Sequence, residues 1–327
     1  MRSKILGLDI GSRTVKMALC QNGVMLNCAT LDMPEGLMVD DRITDPEYMG
    51  DLIRSTMQAH GMRANKAALV ISNEVCFLRE LSLPRMTVSQ LEKNLPYEFT
   101  SYIEGDLKDY VFDYQMVGDV DPESETMSLM AVSLNGELVE QMQAIVHRAR
   151  MKLVRIAPNE SAFQGIIRRG KGAVAESGEY CFLNLGYNAT RMFMFQKDRH
   201  TATRVLDNSL RTLETALMAD MGVERDLASK YILENITNCH EREACLEIYR
   251  AIAVELMRAL NFYRFSNPNS TLGDIWVCGG GAMIRPLAET IGSMLGVTLH
   301  SADELVPGGE QVKECNNYAQ AIGIAMS

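Results

Sequence analysis

Two short segments with a glycine in a turn are the parts of this 327-residue chain that could bind a phosphate group. They cover residues 9–17 and 184–192, and they align without a gap at an offset of 175 residues, which places Gly11 opposite Gly186. A glycine in such a turn lets backbone N–H groups approach an anion, because no Cβ stands in the way. The repeat predicts two related hairpins that face one another across a shared anion site.

Polar and charged side chains beside these glycines could complete the site. Asp9 precedes the first turn, where a carboxylate could hold a Mg²⁺ ion through its water shell. Asn184 takes the corresponding place in the second copy. Arg13 and Lys16 could neutralise phosphate charge, although a solvated surface position is the alternative for either cation. The other turn residues that we assign to the site are Ser12, Thr14, Tyr187, Asn188 and Thr190.

A third glycine-rich loop follows a short apolar run and precedes a helical pattern. Its residues are Gly279, Gly280, Gly281 and Ala282. A loop at the start of a helix could lie against an adenosine or a phosphate group, and a tight strand-to-helix turn is the alternative. The patterns G-x-x-x-x-G-K-[ST] and G-x-G-x-x-G do not occur in the chain, so a Walker loop and a dinucleotide-binding fingerprint are excluded.

Alternating strand and helix patterns place these loops in an α/β fold. Apolar runs before and after each turn predict strand–turn–strand units over 4–20 and 180–196. Thr87 and Gln90 form a capping box at the start of a helix that Pro96 should interrupt. The small residues of 170–179 predict a linker near the middle of the chain. A last helix is predicted over 312–326.

Composition narrows the function classes. Hydrophobic residues make up 47% of the chain and charged residues 23%, which is typical of a folded globular protein. The net charge of −10 disfavours broad binding to nucleic acid. The sequence has no apolar run long enough for a membrane span and no signal peptide pattern, so we expect a cytoplasmic protein. Its eight cysteines form no C-x-x-C pair, which favours reduced thiols over a disulfide frame or a zinc site.

The two hairpins and the third loop, in this order, resemble the phosphate-1, phosphate-2 and adenosine segments of the actin/Hsp70/sugar-kinase superfamily. Within it, the chain is most similar to the PilM family of type IV pilus assembly proteins, which are relatives of the cell-division protein FtsA. The segments that carry this resemblance lie at 77–86, 95–99, 102–103, 113–115, 255–263, 276–282 and 318–323.

The resemblance implies an actin-like (ribonuclease H-like) two-lobe fold with a small α+β subdomain inserted in the first lobe. Lobe 1 would comprise residues 1–80 and 152–178, the inserted subdomain 81–151, and lobe 2 residues 179–327, with 209–271 as its outer part. It also implies ATP and Mg²⁺ in the cleft, with Asp9 on the metal side.

Members of the family bind the short N-terminal cytoplasmic tail of the membrane protein PilN in a groove between the inserted subdomain and lobe 1. They also contact other components of the assembly platform and its motor. We therefore expect this chain at the inner face of the cell membrane, held there by partners and without direct insertion into the bilayer.

The chain departs from the family pattern at several positions. Asn184 stands where relatives have an aspartate, so one carboxylate near the Mg²⁺ ion is missing. Asn208 and Ser209 replace a Gly-Gly pair, and Ser229 replaces a glutamate that reaches the adenosine. Tyr187 replaces a small residue and could crowd the phosphates. These departures predict reduced nucleotide binding with weak or absent hydrolysis.

Two other functions within the superfamily remain open from the sequence. A small-molecule kinase would need a catalytic base, usually an aspartate, and Asn184 cannot act as one. An FtsA-like division filament protein would carry a C-terminal amphipathic membrane helix, and the sequence shows no such pattern, so we expect a protein of another kind.

Overall fold

Two lobes, each built around a five-stranded sheet, form the bulk of the molecule in the computed structural model. The structure describes residues 4–39, 42–117, 125–170, 178–309, 312 and 314–327. The strands of the first sheet are β1 (Ile5–Ile10), β2 (Thr14–Gln21), β3 (Val24–Asp32), β6 (Lys66–Ile71) and β10 (Lys152–Pro158). The strands of the second sheet are β11 (Glu179–Leu185), β12 (Thr190–Gln196), β13 (Arg199–Leu206), β14 (Asp274–Cys278) and β15 (Thr298–Ser301).

The two sheets share one topology. The first has the order β10-β6-β1-β2-β3 and the second the order β15-β14-β11-β12-β13. In each, three strands at one end pair antiparallel and the remaining two join in parallel. The register pairs Asp9 with Lys16 and Asn184 with Arg191, so the two predicted hairpins occupy equivalent places in the two lobes.

Helices cover these sheets. Those of lobe 1 and the lobe boundary are α1 (Pro46–Ala59), α3 (Gly136–Arg148) and α4 (Asn159–Arg169). The helix α3 falls within the range 81–151 predicted for the inserted subdomain, but its buried residues share a core with β1 and α1 of lobe 1. The helices of the second half are α5 (Leu210–Met221), α6 (Arg225–Glu234), α7 (Glu243–Ser266), α8 (Arg285–Leu295) and α9 (Ala319–Met326). The side chain of Asp45 accepts a hydrogen bond from the backbone N–H of Tyr48, and Pro46 follows it, so α1 begins where local capping favours a helix.

A three-stranded sheet extends from lobe 1. Its strands are β7 (Cys76–Pro84), β9 (Thr126–Asn135) and β8 (Tyr110–Met116), in this spatial order. The helix α2 (Val88–Asn94) packs on one face of the sheet, and its core includes Leu81, Leu91, Phe99 and Leu129. The predicted capping box at Thr87 is present, and a 3₁₀ turn over Leu95–Phe99 follows α2 where Pro96 was expected to interrupt it. A short hairpin of β4 (Met38–Val39) and β5 (Arg42–Ile43) lies in lobe 1.

The last helix is shorter than the sequence pattern predicts. It begins at Ala319 and not at residue 312, because Glu314 has a left-handed backbone with φ of 59° and Cys315–Tyr318 form a 3₁₀ turn. The predicted linker falls largely on residues 171–177, outside the described residues. The eight cysteines are free thiols, all buried except the half-buried Cys28.

The helix α9 lies at the centre of the molecule and is buried along its whole length. It approaches β1 and α4 so closely that side chains would not fit at the contacts. A Cβ on Gly7 would lie 1.7 Å from the carbonyl oxygen of Ala321, and one on Gly323 would lie 2.0 Å from that of Ala162. Glycine at these positions permits this backbone-to-backbone packing, which joins the C-terminus of the chain to lobe 1.

Candidate functional site

A cavity of about 390 Å³ lies between the two lobes and is lined by both hairpins. This volume lies within the usual range of small-molecule sites. The predicted residues that the structure brings together in its lining are Asp9, Gly11, Ser12, Arg13, Thr14, Lys16, Asn184, Gly186, Tyr187 and Asn188.

The two turns have matching geometry. The N–H of Gly11 donates to the carbonyl oxygen of Thr14 at 3.0 Å, and a Cβ on Gly11 would lie 3.1 Å from the same oxygen. A Cβ on Gly186 would lie 2.6 Å from the carbonyl oxygen of Ala189, the residue equivalent to Thr14. The close approach of backbone across each turn therefore accounts for glycine at both positions.

The third loop and Thr190 do not line this cavity. Thr190 is buried within β12. Gly279 has φ of +84°, and a Cβ there would lie 2.3 Å from Oδ1 of Asn184, while one on Gly281 would lie 2.6 Å from Cβ of Leu185. The segment 279–282 thus packs tightly against the end of β11. This contact favours the tight-turn interpretation, and ligand binding by Gly280 and Ala282 stays a prediction.

Basic side chains outnumber acidic ones among the described residues of the lining. Nζ of Lys16 lies 4.0 Å from Oδ2 of Asp9, and both side chains are largely buried. Across the described part of the chain, no three His, Cys, Asp or Glu side chains converge as a metal site. A Mg²⁺ ion would therefore depend on Asp9, on water and on oxygen atoms of a ligand.

Asn184 belongs to a buried chain of amides. Its Nδ2 donates to Oε1 of Gln320 at 3.0 Å, and Nε2 of Gln320 donates to Oδ1 of Asn159 at 2.6 Å. The chain joins β11, α9 and α4 without a charge, and an amide can both donate and accept within it. Sequence reasoning missed Asn159 and Gln320, although a glutamine in the otherwise apolar sequence of α9 was a usable signal.

Arg13 connects the lobes. Its Nη2 donates to Oγ of Ser229 at 2.9 Å and lies 3.3 Å from Oδ1 of Asp226, so the first turn contacts α6. Ser229 donates to Glu214 of α5, and the hydroxyl of Tyr187 donates to Oε2 of the same carboxylate at 2.5 Å. We call the contacts among Arg13, Tyr187, Glu214, Ser229 and Asp226 the cross-lobe bridge.

Glu214 is the buried centre of this bridge, with 2% of its surface exposed. Nε of Arg225 lies 3.6 Å from its Oε2 and partly compensates the buried charge. Burial, together with the hydrogen bond to Glu214, raises the pKa of Tyr187 above its ordinary value. The phenol therefore stays protonated at neutral pH and serves as a hydrogen-bond donor.

With this geometry established, comparison with known proteins assigns the family. The family model described as type IV pilus assembly protein PilM matches residues 7–326. The chain belongs to the PilM family. No curated protein matches the sequence significantly.

Solved structures agree with this assignment at the level of fold. The chain is similar to the structure titled "PilM-PilN type IV pilus biogenesis complex", with a TM-score of 0.82, 20% identity, and coverage of 99% of this chain and 98% of that chain. The ethanolamine utilization protein EutJ from Carboxydothermus hydrogenoformans gives a TM-score of 0.57 and 14% identity, over 98% of this chain and 88% of that chain. The archaeal actin homologue Ta0583 gives a TM-score of 0.50 and 12% identity, over 99% of this chain and 98% of that chain. The predicted actin-like α/β fold is confirmed.

The departures from the PilM family pattern have structural roles in this chain. Nδ2 of Asn208 donates to Oε1 of Glu255 at 2.5 Å, and the backbone N–H groups of Asp207 and Asn208 donate to the other oxygen of that carboxylate. Ser209 is buried at the start of α5. Ser229 belongs to the cross-lobe bridge, so these residues organise the outer part of lobe 2.

The lining accordingly fits only part of a nucleotide. The two turns and Lys16 suit a phosphate group, because glycine turns and a nearby cation are the usual means of holding one. The loop that the family resemblance assigns to adenosine packs on β11, outside the cavity. In this arrangement of the lobes, the turns and Lys16 would contact the phosphate groups of a nucleotide, and the loop 279–282 would not contact its base.

Proposed function

We propose that this chain is an adaptor of the type IV pilus assembly platform that binds the N-terminal cytoplasmic tail of a PilN-like membrane protein. The observation that carries the proposal is the PilM family match over residues 7–326, supported by the shared fold with the PilM-PilN complex. None of the described helices is long and apolar enough to cross a bilayer. In this proposal the protein works in the cytoplasm, at the inner face of the membrane, and also contacts other platform and motor components.

In this proposal the extended tail lies between the three-stranded sheet and lobe 1. Among the described strands, β10 pairs only with β6, so its other edge could accept a strand. Val154 lies at a bulge in β10 and is 43% exposed. On the three-stranded sheet, alternate residues of β8, such as Val111, are exposed and point away from the core of that sheet. Backbone pairing along β10 would supply affinity, and these side chains would supply specificity.

A peptide-binding measurement tests this function. A labelled synthetic peptide with the cytoplasmic sequence of the PilN-like protein of the same organism should bind the purified chain saturably in fluorescence anisotropy. Val154→Lys should weaken binding at least tenfold, because a charged lysine opposes pairing at an edge. Val205→Lys is the matched control, since Val205 is an exposed valine on β13, the edge strand of the other lobe. Absence of saturable binding to the unmodified chain would contradict the proposal.

We further propose that the cleft binds ATP with Mg²⁺ more weakly than ordinary members of the superfamily and hydrolyses it slowly or not at all. The two turns and Lys16 would hold phosphate oxygens, and Asp9 would hold the hydrated metal ion. The uncharged Asn184, tied to Gln320, supports the low rate because it provides no second carboxylate and no base. Titration with ATP and Mg²⁺, followed by a turnover assay, tests this, and turnover at the rates of ordinary ATPases would disprove it.

A further inference from the structure

The cavity between the lobes has two chemically different ends. One end is formed by the two glycine turns, as described above. The other end, which we call the apolar end, is formed by lobe 1 side chains of β5, β6, α3 and the segments beside them. Its residues are Met38, Ile43, Leu69, Ile71, Val75, Leu138 and Met142.

The cavity does not extend toward the loop 279–282. Its lining includes Arg13 of the first turn and Tyr187 of the second, whose polar groups form hydrogen bonds with Ser229 and Glu214 of the cross-lobe bridge in lobe 2. No residue of α6, and none from 279–282, lines it. The lining therefore runs from the turns into lobe 1 and does not include the loop 279–282.

The charge of the lining favours an anion. Among the residues that the structure describes, the lining of the cavity holds four basic side chains, Arg13, Lys16, Arg191 and Arg211, and two acidic ones, Asp9 and Glu74, in a protein whose net charge is −10. Arg191 pairs with Glu74, and Lys16 lies near Asp9. The guanidinium of Arg211 makes no hydrogen bond or ion pair within the residues that the structure describes, so a cation at the rim is available to a ligand.

We propose that this cleft binds a small organic anion that combines a charged group with a compact apolar group. The charged group, a phosphate monoester, lies at the turns near Lys16 and Arg211. The apolar group lies against Leu138 and Met142 of α3. A volume of about 390 Å³ accommodates such a molecule. This inference goes beyond the adaptor function and does not depend on the binding of a PilN-like tail.

A series of probes tests the proposal on the unmodified protein by isothermal titration calorimetry. Inorganic phosphate, butyl phosphate and hexyl phosphate share the charged group and differ in apolar length, and hexan-1-ol lacks the charge. Affinity should rise about threefold to fourfold for each methylene that is buried, and hexan-1-ol should bind much more weakly than hexyl phosphate. Hexyl phosphate binding no tighter than inorganic phosphate would overturn the proposal, and so would tighter binding of ATP with Mg²⁺.

Two variants locate the ligand. Leu138→Gln should abolish the gain from butyl to hexyl phosphate while inorganic phosphate binds as before, and Lys16→Met should weaken all the phosphates at least fivefold. Leu233→Gln is the control, because Leu233 lies on α6 and is 76% exposed. A chain-length gain that Leu138→Gln leaves intact would place the ligand elsewhere and refute the assignment. Binding of the PilN-like peptide is measured on the same samples. Peptide binding without binding of the alkyl phosphates would refute this ligand proposal and leave the adaptor function standing.

Discussion

At the scale of single residues, Tyr187 gives the second glycine turn a structural role in addition to ligand binding. The sequence predicted that it would crowd the phosphates at the second turn. In the structure its ring lines the cavity, and its hydroxyl binds the buried carboxylate of Glu214. The guanidinium of Arg13 lies 6.0 Å from the centre of the ring. The residue thus contributes to the connection between the turns and lobe 2, as well as to the shape of the cavity.

Replacing Tyr187 by phenylalanine should destabilise the protein by about 1–3 kcal/mol, because a buried charged acceptor loses one of its donors. The free energy of unfolding from urea titration measures this. Tyr97→Phe is the control, since Tyr97 is 70% exposed, and we expect it to change stability by less than about 0.5 kcal/mol. Equal stability of the two variants would show that the bond from Tyr187 to Glu214 contributes nothing net.

At the scale of elements, the packing of α1 against α3 combines an apolar contact with an ion pair at the surface. Met49 and Ile53 of α1 and Ile145 of α3 are buried in one core. At the edge of this contact, Nε and Nη2 of Arg148 donate to the two carboxylate oxygens of Asp51 at 2.8 and 2.6 Å. The apolar faces of both helices follow from their local periodicity, and only the packed pair shows that Asp51 faces Arg148.

The hydrogen bonds from Arg148 hold the pKa of Asp51 below its ordinary value, and the stability of this contact should therefore depend on pH. A lowered folded-state pKa contributes stability that is present above the unfolded-state pKa and is lost as the pH falls through the folded-state pKa. Asp51→Asn should therefore be less stable than the unmodified protein at pH 7, and the difference should shrink below about pH 4.

Urea unfolding of both proteins from pH 7 to pH 3 measures this difference. The single variant Arg148→Gln and the double variant Asp51→Asn/Arg148→Gln complete a mutant cycle. At pH 7 the double variant should lose less free energy of unfolding than the two single variants lose in sum, because the two residues form one contact. A pH-independent difference between Asp51→Asn and the unmodified protein would contradict the assignment.

At the scale of the whole molecule, two related lobes share a central helix and close on one cavity. The contacts between the lobes include α9 against β1, the amide chain through Asn184, the cross-lobe bridge and the ion pair of Arg191 with Glu74. The first two are buried and uncharged. The bridge contains the partly exposed Arg13 and the exposed Asp226, so solvent and ligands can reach this part of it.

Arg13→Met should loosen α6 from lobe 1, since it removes the bond to Ser229 and the ion pair with Asp226. Hydrogen exchange followed by mass spectrometry should show at least fivefold faster exchange of the amides in α6, with β6 unchanged. Arg285→Met is the matched control, because Arg285 is an exposed arginine that pairs with Glu289 within α8. Equal exchange of α6 in both variants would show that the bridge does not restrain the lobes.

The sequence alone determined the local features of this protein, which are its turns, caps and repeated hairpins. The repeat at an offset of 175, the glycine turns at 11 and 186 and the capping box at Thr87 were all predictable, because each needs only a short run of suitable residues. The family resemblance added the fold. The predicted start of the last helix was wrong, since the left-handed backbone of Glu314 depends on its surroundings and not on helical periodicity.

Tertiary structure alone decided the composition of the site. The bond between Arg13 and Ser229 joins residues 216 positions apart, and the bond between Asn184 and Gln320 joins residues 136 positions apart. Side chains of α3 line one end of the cavity, while the glycines at 279 and 281 pack on β11. No local pattern specifies such contacts, because they form only when the two lobes pack around α9 and fix which surfaces meet.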